Sequence, residues 1–102
     1  MRIILTQKQL TALHEYFAEH VVNDRPENIA EALVKSLVMR VFQKMNKKVY
    51  ARLQGMGYSL HLTDEEAMAY YVYFQNRFIG EGYQYQQLLI QTHINQIDQA
   101  YA

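Results

Sequence analysis

The spacing of apolar residues along the chain changes from period two to period 3.6 and back, and these changes divide it into elements. Arg2 to Leu5 is a short aliphatic run that reads as a strand and stops at Thr6. Thr6 and Gln9 have the spacing of a capping box, in which a hydroxyl and a glutamine satisfy each other's backbone amides, so a helix starts there. Leu10, Leu13, Phe17 and Val21 give it one narrow apolar stripe, and it ends near Val22, before the turn residues Asn23 to Pro26. Pro26 suits the first position of a second helix. Its apolar residues begin at Ile29, and the helix reads on to about Gln54. The stripe drifts around the wheel, so this helix packs against different neighbours along its length. At 1.5 Å per residue it is about 40 Å long, wider than a domain of this size. Its second half is therefore expected to project or to be covered by a second copy of the chain.

Gly55 and Gly57 stop that helix, and Tyr58 to Leu62 alternates like a strand. Thr63 and Glu66 make another capping box, with Asp64, Glu65 and Glu66 in the first turn, where the helix dipole favours acid. The third helix carries Ala67, Tyr70, Tyr71, Phe74 and Phe78 on one side and Met68, Val72 and Ile79 on the next. An apolar arc that wide predicts a helix held between two layers. After Gly80, Glu81 and Gly82, a last helix from Tyr83 to Tyr101 has Ile90, Ile94 and Ile97 on its stripe and Asp98 as its one charge.

A shift of 57 residues superposes Ile3–Thr6 on Leu60–Thr63, Tyr16 on Tyr73 and Phe17 on Phe74, with five identities in sixteen positions. Both halves read as strand, capped helix, turn and second helix. Gene duplication explains this, and so does the recurrence of capping boxes before amphipathic helices. Either way the fold class is mainly all-α: four helices as two helical hairpins, with a minor two-stranded β-ribbon from residues 2–5 and 58–62, in one domain over 1–102.

Charge adds a polarity that the periodicity does not show. The chain has ten basic and ten acidic residues and no net charge. From Ala32 to Thr63 there is no acid, and Lys35, Arg40, Lys44, Lys47, Lys48 and Arg52 give that stretch +6, which leaves −6 for the rest. Arg40, Lys44, Lys47, Lys48 and Arg52 form a stripe on the second helix that suits phosphates or an acidic partner. The third possibility is the chain's own acidic helices, within one molecule or across a dimer.

The chain has no cysteine, which excludes disulfides, thiolate metal sites and cysteine nucleophiles and fits a reducing compartment. The apolar run at the N-terminus is too short for a signal peptide or membrane span, so a cytoplasmic protein without a membrane partner is expected. His14, His20, His61 and His93 sit at no metal-binding spacing with carboxylates, Ser36 and Ser59 have no nucleophile elbow around them, and the two Gly-x-Gly triplets read as helix stops. No catalytic residue, metal or cofactor is assigned. Tyr73, Tyr85, Leu88 and Leu89 lie off the main stripes or on the charge-poor last helix and are assigned to self-association. The expected function is a non-enzymatic helical protein–protein interaction module forming a homodimer. The alternative is a nucleic-acid-binding protein using the basic face of the long helix.

Overall fold

A computed structural model describes residues 1–50, 57–75, 77 and 79–101. Strand β1 (Arg2–Leu5) and strand β2 (Tyr58–His61) pair antiparallel. Alternation sends Ile3, Leu5 and Leu60 into the core and leaves Arg2, Ile4 and His61 outside. The register sets Ile3 opposite Leu60, two residues that the 57-residue shift superposes, and Arg2 opposite His61. Phe17 and Phe74, superposed by the same shift, also meet, with ring centroids 5.5 Å apart.

Helix α1 (Gln7–Tyr16) and helix α3 (Asp64–Phe74) each leave a strand through a capping box. Thr6 Oγ1 accepts from Gln9 N at 3.1 Å, and Gln9 Oε1 accepts from Thr6 N at 2.9 Å. Thr63 and Glu66 repeat the exchange at 3.2 and 2.8 Å. With helix α2 (Ile29–Tyr50) and helix α4 (Gln84–Tyr101), the fold is mainly all-α with a minor ribbon.

The first helix ends near Val22 as its stripe predicts, but its last turn differs in kind, and the bounds of the second and third helices differ from those the sequence predicts. The first helix is α-helical only to Tyr16 and continues as a π-helical segment over Phe17–Val21. Its i→i+5 bonding, seen where Val22 N donates to Phe17 O at 3.0 Å, turns Tyr16, Phe17 and Val21 all inward. The second helix starts at Ile29 and not at Pro26. Asn28 Oδ1 accepts from Glu31 N at 2.9 Å, and Ala32 N donates to Asn28 O, so an asparagine cap outcompetes a proline at the first position. Its predicted reach to Gln54 lies outside the described residues, as does Gly55. At 22 residues α2 is about 33 Å long and fits within a molecule 41 Å in its longest dimension. The third helix ends at Phe74, because Gln75 turns extended at ψ 119°. Ile79 is buried from an irregular segment rather than from a helix. Phe78 lies outside the described residues. Before α4 the chain turns through Gly80 and Gly82 at φ +106° and +89°, a backbone region that glycine enters without strain.

The core is one cluster. Phe17, Val38, Val41, Met45, Tyr70 and Ile90 are at its centre, with the inner face of the ribbon closing one end. Helix α2 packs against both α1 and α3, and α4 lies across the same pair.

Candidate functional site

The structure divides the basic stripe of the second helix. Lys44 Nζ donates to Glu66 Oε1 at 2.5 Å and to His61 O at 2.8 Å, tying α2 to β2 and α3. The Glu66 side chain is 4% exposed. Burial pushes its carboxyl up, but hydrogen bonds from Lys44 and the Thr63 amide outweigh that and hold it below the usual carboxylate range. Arg40 and Lys47 are exposed and Lys48 is half-buried. Arg52 lies outside the described residues. Lys35 serves a structural role as well, donating to the carbonyls of Val22 and Asp24 beyond the π-helical segment.

Lys44→Met leaves a buried carboxylate without its cation and is expected to lower stability by about 1–3 kcal/mol at pH 7. Glu66→Gln added to it should return part of that loss. Urea midpoints for the two single variants and the double variant check this, and losses that simply add would mean that the pair is not coupled.

Of the four residues assigned to self-association, two are interior. Tyr73 is buried and donates to Asp24 Oδ2 at 2.8 Å, with the Arg77 guanidinium 3.9 Å over its ring. Burial and the Asp24 bond raise its hydroxyl pKa well above the ordinary value. Leu89 is buried against the core side of α4. Tyr85 and Leu88 remain at the surface, and Lys8 lies 5.2 Å over the Tyr85 ring. Position on a wheel gives a direction from the helix axis. Which direction is covered depends on neighbours that the wheel does not contain.

The larger apolar exposure lies on α2 and α3. Ile29 is 89% exposed, Leu33 62%, Val72 58% and Met68 47%. Ala30, Glu31 and Val34 of α2 and Val72 and Tyr73 of α3 border one cavity of about 270 Å³, together with Asp24 and Arg77. Val72 of α3 therefore lies beside Ala30 and Val34 of α2. The third helix was expected between two layers, and it packs against both α2 and α4, while Met68 and Val72 face solvent.

The histidines take local partners. His14 stacks on Phe42 with centroids 5.2 Å apart and bonds to Asn46 at 3.0 Å. His20 Nε2 lies 2.8 Å from the Tyr83 hydroxyl, which also donates to Glu19 at 3.1 Å. His61 sits on the outer face of the ribbon, 3.5 Å from Ser59 Oγ, too far for a strong hydrogen bond. His93 is 3% exposed and its Nδ1 lies 2.8 Å from the Tyr70 hydroxyl. Burial lowers its pKa to about 4. The sequence reading missed this pair. Its one signal was that His93 falls three residues after Ile90, on the buried stripe of its helix.

Among the described residues, no group of three or more His, Cys, Asp or Glu is placed to hold a metal ion, and no helix is long and apolar enough to cross a membrane. No protein-family model, curated protein or solved structure matches the chain.

Proposed function

We propose that the protein is a non-enzymatic helical interaction module that self-associates, as a homodimer, through the face shared by α2 and α3. The observation that carries this reading is the exposure of Ile29, Leu33, Met68 and Val72 on two helices packed side by side. Contiguous apolar surface of this kind marks sites of association. A chain with no net charge also sets no long-range repulsion between two copies. Tyr85 and Leu88 on α4 offer a smaller second patch. The absence of cysteine fits a reducing, cytoplasmic setting.

Sedimentation equilibrium at micromolar concentration should give a mass that rises toward twice 12.1 kDa with concentration. A mass fixed at 12.1 kDa across that range would refute self-association. The basic stripe supports a second reading, binding to nucleic acid or an acidic protein, but the engagement of Lys44 with Glu66 removes the centre of that stripe. Tight binding to DNA or RNA in low salt, lost when Arg40, Lys47 and Lys48 are changed to glutamate, would reverse the preference.

A further inference from the structure

We infer that this face closes on a second copy of the chain with α2 of each protomer antiparallel to α3 of the other, and Arg40 of one protomer paired with Glu65 of the partner subunit. The inference rests on the self-association proposed above and names its geometry.

On α2, the residues Ile29, Leu33, Ser36, Arg40, Gln43 and Lys47 are all exposed. Their spacing alternates between four and three, which keeps them on one line of the helix, as in a coiled-coil seam. The line is apolar at its start, basic from Arg40 onward, and contains no acid. On α3, Glu65, Met68, Val72 and Gln75 are likewise exposed and aligned. That line starts acidic and becomes apolar.

The two lines are complementary when one is reversed. Leu33 to Arg40 spans seven residues, and so does Val72 back to Glu65, about 10 Å along each axis. With Leu33 set on Val72, Arg40 meets Glu65. Both charged residues are exposed, and neither belongs to an ion pair among the described residues.

The molecule already holds α2 and α3 in the orientation that this requires. Lys44 near one end of α2 reaches His61 and Glu66 at the start of α3, while Val34 near the other end shares a cavity with Val72 and Tyr73 at its finish. The helices are therefore antiparallel neighbours. A two-fold axis parallel to them, lying in the plane of the face, lays each α2 on the other protomer's α3, again antiparallel. Such an interface is isologous, so every contact is made twice. An apolar centre of Leu33, Met68 and Val72 then adjoins two charge pairs, which lie side by side at one end of it because the axis preserves height along the helices. A second copy is the occupant because the chain itself displays the sequence that complements its own seam.

Charge reversal tests the pairing. Arg40→Glu makes both positions acidic and Glu65→Arg makes both basic, so each variant alone sets like charges together twice and should associate about tenfold or more weakly than the native chain. An equal mixture of the two makes two complementary pairs and should recover the native mass in sedimentation equilibrium. An ion pair within one chain could not be restored by mixing. Circular dichroism confirms that both variants stay folded, and Gln96→Glu at an exposed position of α4 should leave the mass unchanged. Variants that associate as the native chain does, a mixture that stays dissociated, or a loss of mass with Gln96→Glu would each overturn this geometry and leave self-association standing. A native chain that is monomeric throughout would remove both.

Discussion

Phe17→Ala is expected to destabilise the fold by about 3–5 kcal/mol, a large part of the 5–15 kcal/mol by which a domain of this size is usually stable. Phe17 is 0% exposed and opens the π-helical segment. Its ring centroid lies 6.4 Å from Phe42 of α2, 6.2 Å from Tyr70 and 5.5 Å from Phe74 of α3. One side chain thus joins three helices, and its removal leaves a void bounded by large rings that cannot close over it. Urea denaturation with an unchanged slope should show the loss as a lower midpoint. A loss under about 1 kcal/mol would mean that the site collapses and that the ring is no keystone.

Stability should also fall as the solution is acidified, through one histidine. His93 has a folded pKa of about 4 because burial opposes its charged form, against an ordinary value of 6.5. The unfolded chain therefore takes up the proton first. The contribution of neutral His93 is complete above about pH 6.5 and is lost as pH falls toward its folded pKa, about 3 kcal/mol in all and about 2 of it by pH 5. The neutral ring shares a hydrogen bond with the Tyr70 hydroxyl at Nδ1, which links α3 to α4. Glu66, held below the carboxylate range, adds a second contribution, present above about pH 4.5 and lost as pH falls through its lower folded pKa. Unfolding free energies from pH 7 to 5 should consequently slope with pH in the native chain and flatten in His93→Phe. An equal slope in the two proteins would assign it to other groups.

Local chemistry was legible in the sequence wherever a short spacing carried the physics. The Thr6/Gln9 and Thr63/Glu66 boxes specify two helix starts without help from the rest of the chain. The alternation of Ile3, Leu5 and Leu60 set the inner face of the ribbon. The start of α2 was legible too, since Asn28 and Glu31 have cap spacing, but Pro26 drew the boundary three residues early. Contacts between elements were not legible. Nothing local tells Lys44 that it will meet Glu66, or Tyr73 that Asp24 will take its hydroxyl, and these two contacts altered the candidate surface most. The π-helical segment escaped because a 3.6-residue stripe through Leu13, Phe17 and Val21 looks the same until neighbouring rings require Tyr16 inside as well.

The pairing of Ile3 with Leu60 also sets an order of events during folding. Its strands are four residues each and stand 57 positions apart, so drawing them together from an open chain costs about 4 kcal/mol of loop entropy before the pairing repays it. The ribbon is a poor nucleus. Helices that have already packed shorten the effective loop, and only then does pairing become favourable. The ribbon thus acts as a late clasp that registers completed assembly, and substitutions at Ile4 or Ser59 on its rim should quicken unfolding while leaving the folding rate nearly untouched.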